Sequence, residues 1–269
     1  MSEQKSQWPA TCDRFVAFLD IMGFKETVFR YKHEEVLQKM EQFRTPIREM
    51  KKEAKRILET NMPPPKESPL FRQPIIKPVL FSDSILLVSN DASLASAEYI
   101  LAQVKRVVAN ALLHGMGIKG AVAYGEQTAD FGKSLHLGRP LIDACELQNE
   151  LYLYGVVLHH SMELYLNSQG VPEELKGLGI FKYPTPLKGG IVNHYLVNWT
   201  ESPEIALDLE GMLSKLYCNV SGTARTYVDN TVKFIDFAKK LQSTKAKGRS
   251  SGSPIVKKVG KGGLETNHG

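Results

Sequence analysis

Two aspartates carry the first chemical signal. Asp20 lies in "RFVAFLDIMGFK" (14–25), where Phe15 to Ile21 is apolar apart from that one carboxylate. Asp83 sits in "IIKPVLFSDSILLVS" (75–89), between two apolar runs. A carboxylate at the end of a core strand is costly unless it is paired or holds a metal. Two converging carboxylates repel each other unless a cation lies between them. Oxygen donors of this kind suit Mg²⁺ or Mn²⁺, ions that usually also take substrate phosphates. Gly23 follows three residues after Asp20. The turn "IMGF" (21–24), ahead of a helical pattern, would present backbone N–H groups to phosphate oxygens. Each aspartate alone has an ordinary reading, Asp83 as a turn residue and Asp20 as a helix cap. Together, each behind an apolar strand, they point to a metal site that handles phosphate.

The elements around them must bring the two together. Residues 14–20 form the first strand. From about Glu26 the pattern turns helical, with Val36, Met40, Phe43, Ile47, Met50, Ala54 and Ile57 on one face. Pro46, with Thr45 before it as an N-cap, divides this stretch into two consecutive helices. "NMPPPKESP" (61–69) is a loop, and two strands joined by a tight turn at Asp83 follow. A helix from about Asp91 to His114 ends at Gly115. Residues 117–126 and 134–138 are strands, and Pro140 to Tyr152 is a helix. "GVVLHH" is strand-like, which would point His159 and His160 to opposite faces and spoil them as joint metal ligands. "HYLVNW" (194–199) is the last strand, and 203–240 is helical. Strands separated by helices around one antiparallel hairpin predict an α+β, ferredoxin-like sheet with helices on one face. In a sheet of that kind the ends of the first strand and of the hairpin are neighbours. The expected organisation is a catalytic domain over 1–200, a helical extension over 201–243, and a basic tail over 244–269.

Composition narrows the classes. The chain has 269 residues with 42% hydrophobic content, enough for one sizeable core. The polar start "MSEQKSQW" is no signal peptide, and no apolar run approaches the ~20 residues of a membrane helix. Cys12, Cys145 and Cys218 fit no zinc spacing and read as free thiols of a cytoplasmic protein. The net charge of +5 is carried by the tail, where Lys245, Lys247, Arg249, Lys257, Lys258 and Lys261 face Glu265. That Gly-, Ser- and Lys-rich segment reads as disordered. The balanced body has no basic stripe, which argues against a nucleic-acid binder.

At this point the motifs become specific. "FVAFLDIMGFK" resembles the first metal motif of the class III nucleotidyl cyclases, and "LFSDSILLV" resembles the second. "GIKGAVAYGE", "LHLGRPLIDACEL" and "PLKGGIVNHYLVNW" resemble the family's later segments, so the likeness spans about 14–199. The resemblance implies that Asp20, Asp83 and the Ile21 carbonyl hold two Mn²⁺ or Mg²⁺ ions. Met22, Gly23 and Phe24 would bind the triphosphate through their N–H groups, with Lys188 adding charge. It further implies a homodimer with active sites at the subunit interface, metals from one chain and Lys188 from the other.

The departures from the family bear on the substrate. Purine cyclases of this class use a lysine at the position of Val79. Adenylate cyclases use an acidic or hydroxyl residue at the position of Leu135. Neither residue here can hydrogen-bond a purine edge. The family's transition-state asparagine and arginine fall on Ile142, or on Asp143 with a one-residue shift, and on Glu146. Arg139 is the nearest stand-in for the arginine. Within the class the pattern is most similar to the bacterial pyrimidine cyclases of the Pycsar antiphage system, with Lys119 in place of an arginine. That likeness implies cyclisation of UTP, or less readily CTP, to a 3′,5′-cyclic monophosphate sensed by a downstream effector. The rival readings are an adenylate cyclase with an unusual pocket and a cyclase-like nucleotide-binding module without activity. A diguanylate cyclase or polymerase palm shares the carboxylate pair but not the "FSDS" hairpin.

Overall fold

The computed structural model describes residues 8–59, 74–170, 178–218 and 220–250. The expected loop at 61–69 and residues 251–269 of the expected tail lie outside them. The chain opens with β1 (Thr11–Ile21), then α1 (Phe24–Arg30), α2 (His33–Phe43) and α3 (Thr45–Glu59). The hairpin β2 (Ile76–Phe81) and β3 (Ser84–Ser89) leads to α4 (Leu94–Leu113) and β4 (Ile118–Asp130). Next come β5 (Leu135–Gly138), α5 (Arg139–Glu150), β6 (Gly155–Leu158) and α6 (His160–Ser168). The hairpin β7 (Ile180–Leu187) and β8 (Gly190–Val197) follows, then α7 (Pro203–Leu207), α8 (Leu209–Cys218) and α9 (Arg225–Ser250).

The sheet order is β2-β3-β1-β4-β6-β8-β7, with β5 also paired to β4. The first four strands, with the helices between them, make an antiparallel βαββαβ unit, the expected ferredoxin-like plan. β1 is central, so Phe15, Val16, Ala17 and Leu19 are all fully buried, a run rather than an alternation. The edge strands carry the prolines, Pro78 in β2 and Pro184 and Pro186 in β7, where a missing N–H costs no ladder bond.

Local signals place most helix ends. Ser93 caps α4 by accepting the Ser96 N–H at 3.2 Å, and Gly115, at φ 72°, ends it. Pro46 opens α3 as expected. The stretch before it breaks once more than the periodicity foretold. Tyr31 is extended (φ −110°, ψ 156°), and the Glu35 carboxylate accepts the Lys32 N–H at 3.1 Å, restarting the helix as α2.

Three further differences are informative. The helices do not all share one face. α5 crosses β1 and β4 on the side of Val16, where Leu141 packs with Leu86 and Val88, and α9 packs on the same side against Phe181 and beside Lys119, while α3 and α4 cover the opposite side. β7 escaped the sequence reading because "IFKYPTPL" mixes polar residues and prolines, the pattern of a sheet edge. α9 runs to Ser250, past the boundary expected at 243. Among the described residues, no helix is long and apolar enough to cross a membrane.

Candidate active site

The register sets Asp20 opposite Ser84 on β3 and opposite Lys119 on β4. The Ile21 N–H donates to the Asp83 carbonyl at 2.9 Å, which ties the hairpin turn to the end of β1. Ser82 makes that turn with φ 54°, a left-handed conformation. Both aspartates are half-buried and share one sheet end. Burial, and next the Asp83 carboxylate, push the Asp20 carboxyl above its ordinary range, while Lys119 pulls it down. This is the electrostatic signature of a carboxylate pair that wants a cation.

The donor chemistry fits a hard ion. Among the described residues no group of three or more His, Cys, Asp or Glu side chains could enclose a metal alone. Two carboxylates and backbone carbonyls leave coordination positions for water and phosphate oxygens, as Mg²⁺ and Mn²⁺ sites usually do.

Gly23 has φ 73°, a turn that a side chain would strain, and α1 begins at the next residue. Its carbonyl accepts both the Thr27 N–H (3.0 Å) and the Thr27 hydroxyl (2.9 Å). The amides of Gly23 and Phe24 therefore precede the first intrahelical bond. Met22 departs from expectation. Its N–H donates to the Gly117 carbonyl at 2.8 Å and is not free to meet a phosphate. The Phe24 side chain packs, partly buried, against the main core.

Lys119 is the residue at this sheet end that sequence reasoning passed over. It is only 4% exposed. Its ammonium faces Asp20, makes a long 3.5 Å contact to the Asn149 carbonyl, and stands 5.9 Å from the Tyr227 ring centre. Burial lowers its pKa, and Asp20 opposes that shift. The signal was a lysine inside an apolar strand, but only the strand register shows which carboxylate it meets. Lys188 lies in the β7–β8 turn, with its N–H on the Glu150 carbonyl at 2.8 Å, close enough to Lys119 for the two charges to repel. One chain thus already holds Lys188 at the Asp20 end of its sheet.

Other expected residues fall elsewhere. Val79 is half-buried among Val16, Leu86 and Val88, and Leu135 is 44% exposed, so neither offers a polar group to a base. Arg139 is not brought to the aspartates. It opens α5 beside Gly138, which pairs with Gln127, eight residues up β4 from Lys119 and about 26 Å away at ~3.3 Å per residue. There Arg139 pairs with Asp143 at 3.6 Å, and Asp143 with His159 at 3.7 Å. His159 and His160 do not point to opposite faces. β6 ends at Leu158, His159 caps α6, and the two rings meet edge to face with centroids 4.5 Å apart.

Neither a family model nor a curated protein sequence matches the chain. Among solved structures it is similar to the guanylate cyclase domain of RhGC from Catenaria anguillulae in complex with GTP. That likeness has 12% identity over 69% of this chain and 95% of that one, with TM-score 0.46. It is similar to the guanylyl cyclase domain of the RhoGC fusion protein from Blastocladiella emersonii at 13% identity, 70% and 98% coverage, and TM-score 0.43. It is similar to the adenylyl cyclase CyaB from P. aeruginosa at 15% identity, 70% and 95% coverage, and TM-score 0.38. These values describe the course of the chain alone.

Proposed function

We propose that this chain is a nucleotidyl cyclase that converts a pyrimidine nucleoside triphosphate, UTP before CTP, to its 3′,5′-cyclic monophosphate. The observation that carries the proposal is the Asp20–Asp83 pair with Lys119 opposite, at the mouth of a left-handed glycine turn. Asp20, Asp83 and the Ile21 carbonyl would hold two Mn²⁺ or Mg²⁺ ions. Such ions supply Lewis-acid chemistry at a phosphate and acidify a bound hydroxyl. The chain's own groups bind and orient. The Gly23 and Phe24 amides, Lys119 and Lys188 receive the triphosphate oxygens and balance their charge. The ribose 3′-oxygen forms a bond to the α-phosphorus. The bond to the bridging oxygen breaks, pyrophosphate leaves, and the hydroxyl proton passes to solvent.

The pyrimidine assignment is supported by Val79 and Leu135, which cannot pair with a purine edge. A homodimer is supported by apolar side chains left open on the Asp20 face, Phe81 at 80% and Ile142 at 58% exposure. The resemblance to the antiphage cyclases supports reading the product as a messenger for a separate effector.

The test is turnover of ATP, GTP, CTP and UTP, each with Mn²⁺, beside an Asp83→Ala control. A cyclic pyrimidine nucleotide absent from the control is the expected product. Cyclic AMP alone would overturn the base assignment and keep the chemistry. No product from a folded protein would leave a nucleotide-binding module, the reading that Glu146 in the arginine position favours.

A further inference from the structure

The C-terminal helices have no part in the chemistry above, yet α9 reaches its centre. Tyr227, in the first turn of α9, sets its ring 5.9 Å from the Lys119 ammonium. The same ring stacks on Tyr152 at 4.9 Å with 21° between planes, and on Tyr154 at 5.7 Å with 17°. One turn further, Asn230 donates to the Tyr152 carbonyl at 2.8 Å. The Thr231 hydroxyl accepts the Tyr154 N–H at 2.9 Å and donates to the Tyr227 carbonyl at 2.7 Å. The segment gripped in this way runs directly into β6, whose first residue, Gly155, pairs with Lys119. α9 is itself fixed by Phe234, fully buried, with its ring 5.3 Å from Phe181 and 5.7 Å from Trp199.

These contacts do more than fill a core. A lysine ammonium sits on a flexible four-carbon stem and keeps no fixed place without partners. Around Lys119 those partners are the Asp20 carboxylate, the weaker charge of Glu150, one distant carbonyl and the face of Tyr227. An aromatic face attracts a cation out to about 6 Å, more strongly where water is excluded. Tyr227 also lines a hollow of about 380 Å³ together with Met22, Gly23 and Phe24 of the turn. The ring is thus shared between the surroundings of the lysine and the hollow at the phosphate turn.

We infer that Tyr227 is a positioning residue, its ring holding the Lys119 ammonium where the triphosphate arrives, so that the C-terminal helix belongs to the active centre; this rests on the nucleotide reading above. The test is calorimetric binding of α,β-methylene-UTP with Mg²⁺ to the full chain, which needs no turnover. Tyr227→Phe keeps the ring and is expected to bind within about twofold of the wild type. Pentafluorophenylalanine incorporated at position 227 keeps the shape and reverses the ring's charge distribution, and is expected to bind about tenfold more weakly. In a Lys119→Met background the pentafluoro ring is expected to change affinity less than about twofold, because coupled groups are not additive. Pentafluoro and Phe proteins that bind alike would overturn the inference, as would an equal loss in both backgrounds. A wild-type chain that does not bind the analogue would overturn both this inference and the nucleotide reading. Thermal midpoints of all variants verify that each is folded.

Discussion

Two regions of this molecule concentrate charge, and they treat it in opposite ways. At one end of β1, Asp20 and Asp83 face each other with one buried lysine and an exposed second cation nearby. Further along β4, Arg139 pairs with Asp143, whose carboxylate also stands 3.7 Å from the His159 ring, and Ser161 donates its N–H to His159 Nδ1 at 3.3 Å. The second cluster is satisfied within the chain and needs nothing more. The first holds like charges together and leaves helix-start amides without helical carbonyls. Charge alone does not mark a binding site, whereas charge that the fold leaves unbalanced does.

The largest effect is expected at Asp83. Asp83→Asn is expected to lower turnover about a thousandfold or more. Without divalent metal the same change should raise the thermal midpoint by about 1–2 °C, since it removes repulsion from Asp20. Scanning calorimetry with and without Mn²⁺ reads both sides. The ion should stabilise the wild type in proportion to its concentration over Kd and leave the variant nearly unmoved. An Asp83→Asn protein less stable than wild type in EDTA would mean that the pair is already balanced.

Lys119→Met is next, with kcat/KM expected to fall about a hundredfold. A loss under threefold would take Lys119 out of the site. At the satisfied cluster the expected effects are small. Arg139→Ala should leave turnover within about threefold, as measured by product chromatography. A loss of a hundredfold would show that a second subunit presents this end to the nucleotide.

The smallest effect concerns His159. Burial lowers its pKa below the ordinary value near 6.5; Asp143 pulls the other way, while His160, Arg139 and His194 assist burial. The folded chain therefore binds fewer protons here than the unfolded chain between the lowered pKa and 6.5. Stability from this residue is complete above pH 6.5 and falls as the pH drops through that window. His159→Gln should flatten the acid limb of a denaturant-midpoint against pH curve. An unchanged slope would place the titration elsewhere.

How much of this was legible in the sequence follows from distance along the chain. Asp20 and Asp83 were visible because each interrupts an apolar strand, and the βαββαβ order brings their strands together. Gly23 was visible as a turn residue. Met22 was misjudged because its carbonyl partner, Gly117, lies beyond four helices and a hairpin. Lys119 was visible as a residue but not as Asp20's neighbour, since a shift of one position would turn it to the other face. Tyr227 was beyond reach, more than a hundred residues from the lysine it touches. His159 and His160 were misread because a strand reading fixes opposite faces, and the strand ends one residue too early for that rule to hold.

The prolines at the two sheet borders have a consequence for assembly. Pro78 and the Pro184–Pro186 pair interrupt the row of donors that an incoming strand would need. Copies of this chain cannot zip border to border into a growing ribbon. Association is left to the broad surfaces of the sheet, one roofed by α3 and α4 and the other covered in part by α5 and α9, with the two aspartates at its end. Whatever meets this protein through extensive contact, nucleotide or second copy, is steered to the one surface where its chemistry is exposed.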